Sequence, residues 1–188
     1  MKNTLFIFLL VFFGAGLSAQ GVFNNQTNGA LEKVIQDYPN QFKNIRGELL
    51  ESNQRSAQYK SNIAIPGSVS TTVTQYAVAD KHMVSWQTTI YATSQFDDAK
   101  KRFKELYGEI KNTIIKLDGE KPVILNGQYE MPTEEKKYTT VLFDLLPATG
   151  LTQKLKIDLM LEKVNSEWKI VLSVYDKERK QGEAIVSN

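Results

Sequence analysis

Apolar residues recur along this chain with two periods. From Leu31 they come at three- and four-residue steps, through Val34, Ile35 and Tyr38, with Glu32, Lys33, Gln36 and Asp37 between them. That spacing predicts a short amphipathic helix, capped by Asn28 and stopped by Pro39. At about three turns it cannot hold alone, so its apolar stripe must be packed. A longer helical run begins at Phe96 and continues through Ala99, Phe103, Leu106, Tyr107, Ile110, Ile114 and Leu117. Ser94 and Asp97 have capping-box spacing at its head, and Lys100, Lys101, Lys104, Glu105 and Lys111 occupy the other face. Gly108, which costs about 1 kcal/mol against alanine in a helix interior, predicts a bend or a close approach to a sheet.

Elsewhere the period is two. Strands are predicted around Ile45–Leu50, over Tyr59–Ile65 up to the Pro66-Gly67 turn, over Thr71–Ala79 and over Met83–Ala92, with a bend at Asp80-Lys81-His82. Pro122–Tyr129 is a weaker strand. Tyr138–Leu146 ends at Pro147, and Leu155–Glu162 pairs with Trp168–Tyr175 across Asn165-Ser166, the clearest hairpin of the chain.

These elements predict an α+β fold, with antiparallel sheet packed against two helices. Each helix must cover a sheet, because neither layer buries its apolar face alone. The order helix-then-strands occurs twice, in a first half at 21–93 and a second at 94–176, and suggests a duplicated α-β-β-β-β unit within one compact body. Two such sheets meeting edge to edge would remove two exposed edges. The arrangement resembles the small duplicated α+β modules of some exported bacterial inhibitor and binding proteins, a likeness of fold alone. Residues 177–188 read as a flexible tail.

The first twenty residues read as a secretory signal peptide: Lys2, then the apolar run Leu5–Phe13, then small residues from Gly14 to Ala19. The run is too short to span a bilayer, and no later segment is long enough. The expectation is a periplasmic or secreted protein, soluble once the leader is removed.

Composition narrows the chemistry. With no cysteine among 188 residues there is no disulfide, thiolate nucleophile or iron–sulfur site, and one histidine cannot build a multi-histidine metal centre. A net charge of +2, one unit of it from Lys2, is too small for a dedicated nucleic-acid binder. Neither a cofactor nor a metal is expected.

His82 stands in a polar turn without a nucleophile beside it, and reads as an ordinary surface residue. Ser166 and Lys169 have S-x-x-K spacing, but across a turn rather than on one helical face. Asp144 and Asp158 lie inside strands and are the carboxylates closest to an acid–base role. No residue qualifies as catalytic. The aromatic bias carries more weight, since Tyr and Trp join large apolar area to a polar handle. Tyr129, Met131, Trp86, Trp168 and Tyr175 are the candidate binding surface, although for Trp86 and Trp168 packing beneath the helices is the favoured expectation. The function expected is an exported, non-enzymatic binding, inhibitor or chaperone-like protein, its partner a protein or small molecule. Two alternatives are an extracytoplasmic small-molecule or lipid carrier, with a cavity lined by Phe103, Tyr107 and Trp168, and a carboxylate-based enzyme.

Overall fold

The computed structural model describes residues 26–78, 81–117, 119–148 and 150–176. The expected leader at 1–20, Asp80 and the expected tail at 177–188 lie outside the described residues. In chain order the elements are α1 (Gln26–Asp37), β1 (Arg46–Ser52), β2 (Ser56–Ser61), β3 (Ser70–Val78), β4 (Lys81–Thr93), α2 (Phe96–Ile110), β5 (Ile114–Ile115), β6 (Val123–Gly127), β7 (Tyr138–Leu146), β8 (Leu155–Val164) and β9 (Glu167–Asp176). Short 3-10 turns follow α1 at Tyr38–Asn40 and precede β8 at Gly150–Lys154.

All the strands form one antiparallel sheet of nine, in the order β1-β2-β3-β4-β9-β8-β7-β6-β5. The α+β class is therefore as the pattern predicts, and the two halves of the chain do meet edge to edge. Their seam is the β4–β9 pair, which runs from Ser85 opposite Tyr175 to Thr93 opposite Trp168, with a bulge between Thr89 and Tyr91.

One face of this sheet carries the core. Alternation along β8 sends Leu155, Ile157, Leu159 and Leu161 inward; on β9 the inward set is Trp168, Ile170, Leu172 and Val174. Val141, Phe143 and Leu145 of β7, Val123 and Leu125 of β6, Trp86 of β4 and Val73 of β3 extend the same layer. Helix α2 lies over β4, β9 and β8, with α1 beside it. Ala99, Phe103, Leu106 and Ile110 from α2 and Leu31, Val34 and Ile35 from α1 complete one contiguous cluster. Phe96 stacks on Trp168 with ring centroids 4.8 Å apart. The Trp86 Nε1–H donates to Ser61 Oγ and to the Ile63 carbonyl, both at 3.1 Å, so the buried indole keeps its polar end satisfied.

A buried carboxylate makes the corner between α1 and β1. Asp37 accepts hydrogen bonds from the Asn44 and Ile45 backbone N–H groups at 3.0 and 3.3 Å and from the Asn40 and Asn44 side-chain amides. These hold Gln41 and Phe42 in the left-handed region, and Phe42 enters the core.

The elements differ in detail from the expected ones. Asn28 lies inside α1, which already includes Gln26, and Thr27 Oγ1 donates to Glu109 Oε2 of α2 at 2.8 Å. Gln95, not Ser94, is the N-cap of α2, without a side-chain capping bond. The helix stops at Ile110 rather than Leu117, making it about 22 Å long. There Lys111 turns extended and Asn112 left-handed, and backbone bonds Asn112 N–H to Leu125 O and Leu125 N–H to Thr113 O replace helical ones. The β-branched run Thr113-Ile114-Ile115 then pairs with β6 as an edge strand that the helical spacing had concealed. Strand β2 ends at Ser61, and Ile63 and Ile65 pack from the loop beyond it. The backbone of His82 belongs to β4 opposite Ala77 rather than to a turn; its side chain lies outside the described ones.

Candidate functional site

Among the described residues, no helix lies over the second face of the sheet. Its centre is closed by its own side chains: Thr74, Ser85, Val171, Ser173 and Tyr175 are buried there beside longer neighbours. Tyr175 is abreast of Lys156 and Ser85 and keeps only 7% of its surface exposed. Of the five candidate surface residues, Trp86 and Trp168 are interior and Tyr175 is nearly so. A large ring beside a seam of small strand residues is the first thing packing covers. Tyr129 is half-buried at a rim, and Met131 beyond it is 61% exposed.

Toward the β5 end the same face changes character. In β6 the inward residues are Val123 and Leu125, so Ile124 points outward; β7 likewise turns Tyr138, Leu142, Asp144 and Leu146 away from the core. Register places Ile114 opposite Ile124 and Ile124 opposite Leu146. With strands about 4.8 Å apart, the three side chains form a continuous aliphatic row across β5, β6 and β7. They are 57%, 43% and 46% exposed, and Leu142, on the same face, 37%.

A groove of about 580 Å³ opens where β6 ends, lined by Tyr107, Lys111, Asn126, Gly127, Gln128, Tyr129, Leu142 and Asp144. Gly127 makes its wall possible. A Cβ there would come within 2.7 Å of Phe143 Cδ1 and 2.9 Å of the Leu142 carbonyl. The Tyr107 hydroxyl donates to the Gly127 carbonyl at 3.1 Å. Tyr107 also stacks on Tyr129 at 4.9 Å, and Lys111 Nζ sits 5.5 Å from the Tyr107 ring centroid, within cation–π range. Burial pushes the pKa of Tyr129 above its ordinary value, so the phenol stays neutral and can donate a hydrogen bond. Asp144 is exposed and ion-paired with Lys156 Nζ at 2.5 Å. Lys136 and Glu130 make a further pair beside Met131.

The structure therefore brings together two residues that the sequence singled out separately, Tyr129 and Asp144. It leaves Asp158 on the same sheet face, opposite Leu142 on one side and Ser173 on the other. Ser166 and Lys169 are divided by the hairpin turn, Ser166 in the left-handed region and Lys169 in β9. The residues that sequence reasoning missed are Ile114, Ile124, Leu142 and Leu146. Their signal was parity: each alternates with a residue of the core, and Asp144 marks the same outward register. In β7 the run Val141-Leu142-Phe143 hides this, since apolar residues on both parities read as a fully buried strand.

Among the described residues, no group of three or more His, Cys, Asp or Glu side chains is placed to hold a metal. No described helix is long and apolar enough to cross a membrane. Comparison with family models, with curated proteins and with solved structures finds no match.

Proposed function

We propose that the protein is an exported, non-enzymatic binding protein, of inhibitor or chaperone-like type, whose partner is a polypeptide docking on the β5–β7 end of the helix-free face. The observation that carries this reading is the exposed row Ile114, Ile124 and Leu146, continued by Leu142. Removing one such aliphatic side chain from water contributes about 1.5–3 kcal/mol at most, so a row of them favours a cover. Around it Tyr138, Asp144, Lys156, Lys111, Asn126 and Gln128 supply the polar rim that a protein interface uses to exclude water and set orientation. The half-buried Tyr129 and Tyr107 add rigid aromatic contact at the groove.

A carrier is less well supported. Two of the three side chains that would line its cavity are committed to the interior, Phe103 beside Tyr129 and Trp168 against Phe96.

The test is retention of a partner from native extracellular or periplasmic extract on immobilised protein. Ile124→Lys and Leu146→Lys should each abolish retention of a protein that the unaltered chain holds reproducibly. Leu49→Lys, which changes an exposed leucine at the far edge of the sheet, should leave it in place. Equal retention by all three variants, with unchanged circular dichroism, would contradict the assignment of the face.

A further inference from the structure

A second concavity lies on the helical side, away from the aliphatic row. It measures about 120 Å³ and is lined by Ile35, Gln36, Tyr38, Pro39, Leu117, Glu120 and Thr152. Two hydrogen bonds from α1 build its wall. Gln36 Nε2 donates to the Lys116 carbonyl at 3.0 Å, and the Lys116 N–H donates to Glu32 Oε1 at 3.3 Å. They pin the segment after β5 against the helix and set Leu117 and Glu120 at the pocket.

Glu120 is the feature without a structural explanation. Its Oε2 is buried and accepts no hydrogen bond. Its Oε1 lies against Gly150, where a Cβ would stand 3.1 Å away, so this left-handed glycine lets the carboxylate sit close to the backbone. A buried carboxylate oxygen without a donor is unfavourable, and the other polar groups at hand do not supply one. The Tyr38 hydroxyl donates to Asp176 Oδ2 at 3.2 Å, and one Gln36 amide N–H is taken up by the Lys116 carbonyl. Gln36 keeps a second N–H, which does not reach the carboxylate, and an amide oxygen, an acceptor like the carboxylate itself.

An acceptor pair beside Ile35, Pro39 and Leu117 suits a cation with N–H donors on an apolar stem. We infer that this pocket binds a primary alkylammonium group, as carried by a lysine side chain or a short free amine. The ammonium lies on Glu120 Oε2 and the methylenes lie against Ile35, Pro39 and Leu117. A divalent cation is the poorer fit, since calcium takes six to eight oxygen ligands and the walls are largely apolar. A neutral alcohol lacks the charge that the carboxylate would compensate.

The experiment is a titration of the ¹⁵N-labelled protein followed by backbone amide shifts. n-Butylammonium chloride should give saturable shifts at Gln36, Gly119, Glu120 and Thr152, with a Kd on the order of 1–10 mM. Butan-1-ol and calcium chloride at matched concentrations should give none that saturate. Glu120→Gln should weaken butylammonium at least about tenfold, since a hydrogen bond to a charged group is lost. Acetyl-glycyl-lysyl-glycinamide is the companion ligand. Tighter binding of the peptide identifies a lysine of a polypeptide as the natural source, and tighter binding of butylammonium identifies a free amine. The inference is overturned if neither amine saturates, if butanol or calcium matches them, or if Glu120→Gln binds as well as the unaltered protein. The alcohol and calcium arms use the unaltered chain, so they discriminate whether or not the variant folds.

Discussion

Gly108 and Gly127 ask opposite things of the same residue type. A Cβ at Gly108 meets nothing within 4 Å, on the exposed side of α2, so the glycine does not serve a close approach to the sheet. Gly108→Ala should stabilise the protein by about 0.5–1 kcal/mol, read as a higher urea midpoint with unchanged slope. Gly127 is held against Phe143 and the Leu142 carbonyl, and Gly127→Ala should cost about 1–3 kcal/mol in the same measurement and open the groove wall. Glu162, on the helix-free face beside Lys169, makes a pH prediction. Burial raises its pKa above the ordinary 4.5, with Asp158 adding to the rise and Lys169 opposing it. A carboxyl that holds its proton more tightly when folded contributes stability below about 4.5 and loses it as pH climbs through the raised value. The stability of Glu162→Gln relative to the unaltered protein should therefore grow between roughly pH 4 and pH 7; a flat or falling difference would refute the sign. None of this was legible in sequence, because space around a glycine and burial of a carboxylate belong to neighbours brought from elsewhere in the chain.

Helix α2 is the element whose pattern predicted its packing best. Phe103 lies wholly in the core under it, while Lys104 is exposed on the far side. Phe103→Ala should cost about 3–5 kcal/mol and Lys104→Ala within about 0.5, compared as urea midpoints. The same periodicity failed past Ile110, since Ile114 and Leu117 keep helical spacing by coincidence while the backbone of Ile114 and Ile115 pairs with β6 and Leu117 lies in the loop beyond. Alternation in β8 and β9 was read correctly because one parity is apolar from Leu155 to Leu161 and from Trp168 to Val174, while the other carries Lys156, Asp158, Glu162, Lys169 and Ser173. Asn165-Ser166 adopts the left-handed turn that a two-residue hairpin demands. At β6 and β7 alternation found the strands but not the exposed side. An aliphatic residue pointing at water has the same letter as one pointing at the core, and only the one-sided placement of the helices separates Ile124 from Leu125. The candidate site was thus half visible, through Tyr129 and Asp144, and half a product of assembly.

At the scale of the molecule the two tryptophans report on opposite halves, Trp86 in β4 and Trp168 in β9, each inside the one core cluster. Single-tryptophan variants Trp86→Phe and Trp168→Phe should each show one fluorescence transition in urea that coincides with the far-ultraviolet circular dichroism transition of the same variant. Separated transitions would mean that the halves are independent bodies joined at the seam. That seam also has a temporal meaning. The central strand β9 is the last element of the described chain, and it fills the space between β4 and β8, strands contributed by different halves. A ribosome delivering the chain from its amino end presents β4 with an open edge until β9 has emerged, and α2 with its inner floor incomplete. The closing register is non-local, so the fold must wait for the final hairpin rather than condense half by half. Synthesis halted before Glu167 should leave nascent chains as protease-sensitive as unfolded polypeptide, with resistance arriving only once Asp176 has cleared the exit. Strand β9 thereby acts as the latch whose arrival sets the moment at which β4 and β8 can be joined.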